Sequence, residues 1–368
     1  MNKIVFFLPA FYSPKCRNSS GGTISNYLMI RQLSNYYKIN IVSPDVKVDP
    51  ILNENISCIT TNQYVGISLY NKLKKIKWYS DSIKNYFAKN KPDVAVYTNT
   101  TNLFFNRKKC KKNILLVRAY EDFFSIKMAG ENKVESLVRR MKKTLLTKKI
   151  HKVYNEVDII ITNSNYMRDK IIKEFEITQP EKIKVVYPPI DISPSHPYKN
   201  ISNIARRVTI GMINPSPAKG DFIFIGLAKK FPNVNFMYFS KNNKQYQLEN
   251  IIYGGWISDR SSLFSKIDLL IVPSQWPEPF GRVSVEAIRS GLPVIVSGSG
   301  GLTETVDKLF VIEKYDCIDE WVNKVEWAFN NTDILENTWS KSLEVSEQFV
   351  TEQHEKSLLE IFTHNFNG

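Results

Sequence analysis

The sequence predicts an α/β protein with two domains, each built around a parallel sheet with crossover helices. Short apolar segments alternate with helical patterns along the chain, which is typical of parallel strands connected by helices. The chain has 368 residues, which is more than one typical domain contains. Residues 187–197 hold four prolines and separate two series of predicted strands, so we interpret them as a linker.

The strands are predicted where short apolar runs occur between turn signals. In the first domain (residues 1–190), the predicted strands are residues 3–8, 39–43, 93–97, 114–117, 159–162 and 184–186. In the second domain (residues 191–345), they are residues 208–213, 235–239, 268–272, 294–297 and 309–312. Residues 345–362 form a helical pattern, and we assign residues 346–368 to a C-terminal helical segment. Open α/β sheets bind ligands beyond the carboxyl ends of their strands, so we expect the chemistry in a cleft between the domains.

Composition and cysteine usage fit a protein of a reducing compartment. Hydrophobic residues make up 43% and charged residues 23% of the chain, as in ordinary globular proteins. The four cysteines are scattered without paired or metal-like spacing, which favours a cytoplasmic setting. Residues 4–12 are apolar but include Pro9 and lack a small-residue cleavage site, so we interpret them as a buried strand and not a signal peptide. No segment approaches the roughly 20 apolar residues needed to cross a bilayer.

Positive charge is concentrated in the first domain. The net charge is +14, which divides into +18 for residues 1–190 and −4 for the remainder. The basic clusters are residues 72–77, 106–112 and 139–152. A nucleic-acid partner is disfavoured, because these clusters lack interleaved aromatic residues and no recognised binding module is present.

The last basic cluster belongs to an amphipathic helical pattern that has two interpretations. Cations occupy one face, and the apolar residues of the other face recur at helical spacing: Val134, Leu137, Val138, Met141, Leu145 and Val153. Such a helix can lie on anionic lipid at the inner face of a membrane, where each nearby cation contributes about 1 kcal/mol. It can equally pack its apolar stripe on the core and leave the cations in solvent. The pattern alone does not decide between them.

Residues 273–306, PSQWPEPFGRVSVEAIRSGLPVIVSGSGGLTETV, carry the most specific chemical pattern. Glu278 and Glu286 lie eight residues apart across a predicted loop-to-helix turn. Between them, Gly281 allows the backbone to approach a ligand closely, and the helix N-terminus offers free N–H donors. Carboxylates that accept hydroxyl donors, together with amides that bind phosphate, fit a sugar nucleotide.

This segment resembles the E-x7-E signature of retaining GT-B glycosyltransferases, specifically glycosyltransferase family 4. The elements PS, E-P-F-G, E-A, G-x-P-V-I and a Gly-Gly turn occur in the family's order. Residues 157–164, 185–191 and 208–220 also resemble family segments, whereas residues 50–135 match least. The resemblance implies the GT-B fold, with two Rossmann-like domains facing across a cleft and a C-terminal helix that crosses back to the N-terminal domain.

The resemblance also implies roles in donor binding. Glu286 is expected to accept hydrogen bonds from the ribose hydroxyls, and Glu278 to contact the hexose hydroxyls. The backbone of Phe280 and Gly281 is expected beside Glu278. Val283 is expected under the ribose or the phosphate.

A second loop is expected to supply the cation of the donor site. Lys219 matches the family's lysine that offsets charge on the departing diphosphate, and with Glu278 it forms the expected catalytic pair. Asn214 stands where the family usually has an arginine, so this position carries no charge. Arg282 is a candidate substitute for the missing cation. Gly22, in a Gly-Gly turn after the first strand, is expected to contact a ligand in the cleft.

The acceptor side departs from the family's pattern. Many members place a histidine after a middle strand of the first domain, but residues 115–124, LLVRAYEDFF, contain none. Tyr120, Glu121 and Asp122 are candidate replacements. The chain has no D-x-D pattern and no His/Cys cluster, so we expect no metal ion and no cofactor besides the sugar nucleotide, which is a substrate.

The predicted function is that of a retaining hexosyltransferase in bacterial surface polysaccharide assembly. The donor is expected to be a nucleotide diphosphate sugar, and the acceptor a hydroxyl of a saccharide or lipid-linked glycan. The alternatives are a catalytically silent GT-B scaffold, a GT-B nucleotide-sugar epimerase or phosphorylase, and a basic nucleic-acid-binding protein. We expect a cytoplasmic enzyme. If the basic helix binds lipid, the enzyme works at the inner face of the membrane.

Overall fold

Two parallel sheets lie at the centres of the two halves of the chain. The computed structural model describes residues 2–14, 16, 20–48, 53–60, 69–98, 100–123, 133–192, 197–201, 207–244, 246–257 and 259–366.

The first half contains a sheet of seven described strands and a small two-stranded sheet. Its strands are β1 (Lys3–Phe7), β2 (Phe11–Tyr12), β3 (Lys38–Ser43), β4 (Val46–Lys47), β5 (Ile56–Thr60), β6 (Val94–Tyr97), β7 (Lys112–Val117), β8 (Ile159–Thr162) and β9 (Ile183–Val185). The large sheet has the order β5-β3-β1-β6-β7-β8-β9, with parallel pairing throughout. The helices are α1 (Gly21–Leu33), α2 (Leu69–Lys89), α3 (Thr100–Asn106), α4 (Lys133–Glu156) and α5 (Asn165–Phe175).

Both faces of this sheet are covered, as is usual for parallel sheets. Successive side chains of a strand point to opposite faces. In β1, Ile4 and Phe6 are therefore buried in the core on one face, and Val5 and Phe7 in the core on the other.

The second half contains a parallel sheet of six described strands. They are β10 (Thr209–Ile213), β11 (Asn235–Phe239), β12 (Ile251–Tyr253), β13 (Leu269–Val272), β14 (Val294–Ser297) and β15 (Val311–Ile312), in the order β12-β11-β10-β13-β14-β15. The helices are α6 (Asp221–Lys230), α7 (Arg260–Phe264), α8 (Arg282–Arg289), α9 (Ile318–Asn330), α10 (Thr332–Ser346) and α11 (Thr351–Phe366). Among the described residues, no helix combines the length and the apolar character needed to cross a bilayer.

The last helix, α11, returns to the first half of the chain. Gln32 of α1 donates from Nε2 to the Thr351 carbonyl oxygen at 2.8 Å, and its Oε1 lies 2.5 Å from His354 Nδ1. Leu358 and Phe362 are fully buried in the core that also contains residues of α1 and β1. The chain end therefore connects the second half to the N-terminal domain.

The linker and the segment before α11 cross beside the cleft. The Ile190 N–H donates to the Phe349 carbonyl oxygen at 2.8 Å, and Ile190 forms a β-bridge with Val350. Ile190 and Phe349 are buried together with Phe280 and Val285, which belong to the 273–306 segment. This crossing therefore helps to position the loop and helix that carry the chemical pattern.

Candidate active site

The 273–306 segment forms the loop after β13, the helix α8 and the turn after β14. Gly281 closes the loop with a φ of 142°, which favours glycine. A Cβ at this position would lie 2.6 Å from Leu302 Cδ2, so a larger residue would clash. The helix α8 begins directly afterwards at Arg282.

The Gly-Gly turn holds the backbone of Glu278. Gly300 has a φ of 67°, and a Cβ there would lie 2.3 Å from the Glu278 carbonyl oxygen. Glu278 and Gly300 form a β-bridge, and the Gly301 N–H donates to the Glu278 carbonyl oxygen at 2.7 Å. The Gly-Gly turn therefore contacts the backbone of Glu278, the first acid of the pattern.

Lys219 and Glu278 form an ion pair where two neighbouring strands end. Lys219 lies in the loop after β10, and Glu278 in the loop after β13. Lys219 Nζ contacts Glu278 Oε1, and Ser274 Oγ donates to the same oxygen at 2.7 Å. The two loops touch, since a Cβ on Gly220 would lie 2.0 Å from the Pro273 carbonyl oxygen. A cation and an acceptor-only carboxylate therefore meet at the carboxyl edge of the sheet.

Glu286 is buried on α8 and bound by two arginines. Its Oε2 lies 3.0 Å from Arg260 Nε, and its Oε1 lies 3.4 Å from Arg282 Nη2. Arg282 also donates to the Pro189 carbonyl oxygen at 2.9 Å and to Ser25 Oγ at 3.3 Å. Both carboxylate oxygens are engaged, so a ribose bound here would share Glu286 with these cations. Sequence reasoning missed Arg260, which begins α7 and lies outside the 273–306 segment.

A cavity of about 300 Å³ lies between the two halves of the chain. Most of the predicted donor-site residues line it: Gly22, Lys219, Glu278, Phe280, Gly281, Arg282 and Val283. Glu286 and Asn214 are not among its lining residues. The fold therefore brings together one carboxylate, three cations (Arg118, Lys219 and Arg282) and the first turns of α1 and α8.

Asn214 follows β10 in the left-handed backbone conformation, with a φ of 51°. Asparagine tolerates this conformation better than most residues, which gives a backbone reason for its presence. Its N–H donates to the Phe239 carbonyl oxygen at 2.8 Å. Asn214 therefore forms part of the turn after β10 and carries no charge.

None of the three acceptor-side candidates lines the cavity. Tyr120 is buried, its hydroxyl donates to the Pro277 carbonyl oxygen at 2.7 Å, and burial raises its pKa. Asp122 accepts a hydrogen bond of 2.9 Å from Thr100 Oγ1, and burial raises its pKa to about 6. Glu121 is exposed. Tyr120 thus connects the first domain to the loop that holds the acids, whereas Asp122 bonds within its own domain.

Arg118 lines the cavity and is a residue that sequence reasoning missed. It follows β7 directly, within residues 115–124, where many members of the family have a histidine. The sequence signal that could have identified Arg118 is its position as a charged residue at the carboxyl end of a buried strand. Within the part of the chain that the structure describes, no three His, Cys, Asp or Glu side chains come together as a metal site requires.

Two sequence families match the chain. The family described as "Glycosyltransferase Family 4" matches residues 20–194, and "Glycosyl transferases group 1" matches residues 223–343. The chain belongs to glycosyltransferase family 4. The prediction of a glycosyltransferase is thereby confirmed.

Known proteins similar to this chain include one relative and two solved structures. An uncharacterised 42.6 kDa protein in the cps region of Klebsiella pneumoniae is 28% identical over 333 residues, which cover 80% of this chain and 82% of that one. Sucrose-phosphate synthase from Thermosynechococcus elongatus aligns over 100% of both chains, with a TM-score of 0.76 and 14% identity. Anabaena Alr3699/HepE in complex with UDP-glucose aligns over 98% of this chain and 99% of that one, with a TM-score of 0.68 and 17% identity. At these identities the two structures show the fold, and the predicted GT-B class is confirmed.

Proposed function

We propose that this glycosyltransferase moves a hexose from a nucleotide diphosphate sugar to a hydroxyl of a saccharide or lipid-linked glycan, with retention of the anomeric configuration. The observation that carries the proposal is the Lys219–Glu278 pair in the lining of the cavity between the two halves. The ammonium can offset charge on a leaving diphosphate, and the carboxylate can accept hydrogen bonds from sugar hydroxyls. The UDP-glucose bound to Anabaena HepE supports a nucleotide sugar as the donor class.

Assembly of a bacterial surface polysaccharide is the proposed setting. The relative from Klebsiella pneumoniae, which aligns with most of this chain, is described as a protein in the cps region. A lipid-linked or saccharide acceptor fits that setting.

In the proposed reaction, the bond between the anomeric carbon and the diphosphate oxygen breaks, and the acceptor oxygen forms a bond to the same face of that carbon. The acceptor proton goes to the leaving diphosphate. The protein contributes positioning and electrostatic stabilisation rather than a covalent nucleophile. Ser274 keeps Glu278 oriented, because its hydroxyl donates to the carboxylate at 2.7 Å.

Incubation of the purified protein with UDP-, GDP- and ADP-hexoses, followed by mass spectrometry, tests this function. Slow donor hydrolysis, or transfer to added glycan, releases a nucleoside diphosphate, and NMR of the product's anomeric proton reads the stereochemistry. Interconversion of nucleotide sugars without such release would favour the epimerase. A ligand at a hundred times its Kd adds about 2.7 kcal/mol to stability, so binding without turnover would appear as a raised melting temperature and favour the silent scaffold.

We also propose that the protein works at an anionic membrane surface, through an exposed face of α4. Three apolar side chains at four-residue spacing are exposed on this helix: Leu137 (59%), Met141 (55%) and Leu145 (74%). Phe105 of α3 is 61% exposed, and Lys149 Nζ lies 4.1 Å from the centroid of its ring. Packing on the core does not account for these side chains. Apolar residues flanked by cations are the chemistry that binds anionic lipid.

Sedimentation with lipid vesicles tests this surface. The wild-type protein is expected to sediment with phosphatidylglycerol vesicles, less so with phosphatidylcholine vesicles, and less at high salt because salt screens exposed charges. A triple variant with Leu137, Met141 and Leu145 changed to serine is expected to stay in the supernatant. Ile334→Ser, which changes a 46% exposed residue of α10, serves as the matched control. Equal sedimentation of the triple variant and the wild type would contradict the membrane proposal.

A further inference from the structure

Arg118 is a partly buried cation without an acidic partner among the described residues. Its Nη1 donates to Asn26 Oδ1 at 2.5 Å, and its Nη2 lies 3.5 Å from Met29 Sδ. A guanidinium carries five N–H donors, so these two contacts leave donors available. A buried charge normally has an ionic partner, since desolvation is costly without one.

The neighbouring cation increases this cost. Arg282 lies close enough to Arg118 that its charge, second to burial, lowers the pKa of Arg118 to about 9. Arg282 shares Glu286 with Arg260, at 3.4 Å from its Oε1, whereas Arg118 has no carboxylate partner in the described part of the chain. An anionic group bound beside Arg118 would relieve both the desolvation and the repulsion.

The first turn of α1 adds to the positive potential in the same cavity. Gly21 and Gly22 line the cavity together with Arg118 and Lys219. The first N–H groups of a helix have no acceptor within the helix. In α1, Ser20 Oγ accepts a hydrogen bond from the backbone N–H of Thr23. The first turn of α1 holds no acidic residue. The acid in the cavity lining, Glu278, is already paired with Lys219.

We propose that Arg118 binds a phosphate group of a substrate in this cavity, beside the N-terminus of α1. The assignment rests on the proposed function and supplies, from the N-terminal domain, a cation that Asn214 does not provide. A planar guanidinium can bind two phosphate oxygens in a fixed bidentate geometry, whereas the ammonium of a lysine acts as a point charge. The phosphate has two possible sources, the diphosphate of the donor and a phosphate of the acceptor.

Calorimetry with inorganic pyrophosphate and with UDP, GDP and ADP tests this assignment. Arg118→Gln is expected to weaken pyrophosphate binding by about 10- to 100-fold, the value of a hydrogen bond to a charged group. Arg118→Lys is expected to recover part of the affinity. Arg31→Gln, which removes an exposed cation from the last turn of the same helix α1, is the matched control and is expected to bind like the wild type. The free Arg118→Gln protein is expected to melt at or above the wild-type temperature, because an uncompensated charge has been removed.

The results distinguish a donor phosphate from an acceptor phosphate, and they test the phosphate site separately from the proposed function. If Arg118→Gln also lowers the affinity for the nucleoside diphosphates, the phosphate belongs to the donor. If only the affinity for pyrophosphate falls, the phosphate belongs to the acceptor. Wild-type affinity of Arg118→Gln for all these ligands, or no pyrophosphate binding by the wild type, would overturn the assignment. A fall in melting temperature for both Arg118 variants would also overturn it, since the residue would then be structural. Pyrophosphate binding through Arg118 without turnover of any nucleotide sugar would refute the proposed function and leave the phosphate site standing.

Discussion

Replacement of Gly300 by alanine tests whether the Gly-Gly turn positions Glu278. The new Cβ would lie 2.3 Å from the Glu278 carbonyl oxygen and 2.6 Å from its backbone nitrogen, so backbone would have to move. The backbone of Gly300, at a φ of 67° and a ψ of −141°, lies in a region that is essentially restricted to glycine, which adds about 1–3 kcal/mol of strain for another residue. Overpacking typically adds about 1–3 kcal/mol, so we expect Gly300→Ala to lower the free energy of unfolding by roughly 2–6 kcal/mol.

The matched control is Gly255→Ala. Gly255 has a similar φ of 79°, but a Cβ there would meet no atom within 4 Å. This variant should therefore lose only the strain, about 1–2 kcal/mol, and keep its activity. For Gly300→Ala, a displacement of Glu278 by about 1 Å is expected to lower the donor turnover rate about 100-fold. Urea unfolding and a donor-hydrolysis assay measure the two effects. Equal stability and equal turnover of the two variants would refute the role given to the turn.

Two further substitutions test contacts around the site. Tyr120→Phe removes the hydroxyl that donates to the Pro277 carbonyl oxygen at 2.7 Å. In urea denaturation, this variant is expected to lower the free energy of unfolding by about 1–3 kcal/mol. An unchanged midpoint would refute this expectation. Asp122→Asn tests the linkage of stability to pH. Because burial raises the pKa of Asp122 from 3.8 to about 6, its contribution to stability is full below pH 4 and is lost as pH rises through 6. The asparagine variant should lose this dependence, so its melting temperature should fall less than that of the wild type between pH 4 and 7; identical profiles would contradict the assignment.

Most of the fold could be predicted from the sequence because buried strands carry continuous apolar runs. Every predicted strand is present with ends shifted by at most two residues. The edge strands β5 and β12, and the short strands β2 and β4, were not predicted. The side chains of β5 and β12 are exposed or half-exposed, so their apolar signal is weak.

Less of the site could be predicted, because part of it depends on which surfaces meet in three dimensions. The pattern from Glu278 to Val283 is local, and its residues line one cavity. Arg260 begins the helix before β13, and Arg118 follows β7 in the other half of the chain. No spacing rule connects either residue to the acids. The helical pattern of α4 was equally ambiguous, since periodicity identifies an apolar stripe but does not show what covers it. Leu137, Met141 and Leu145 are exposed, whereas Leu146, Ile150 and Val153 of the same helix pack on the core.

The turnover rate of Lys219→Ala is the most direct test of the central claim that the Lys219–Glu278 pair forms the donor site. The loss of an oriented donor to a charge that develops in the transition state typically lowers kcat about 100- to 1000-fold, and we expect a fall of that size. Lys230→Ala, which removes an exposed lysine at the end of α6, should keep the wild-type rate. The melting temperature of Lys219→Ala should fall moderately, because the buried Glu278 loses its cation and keeps only the hydrogen bond from Ser274. A full transfer rate for purified, folded Lys219→Ala would contradict the account.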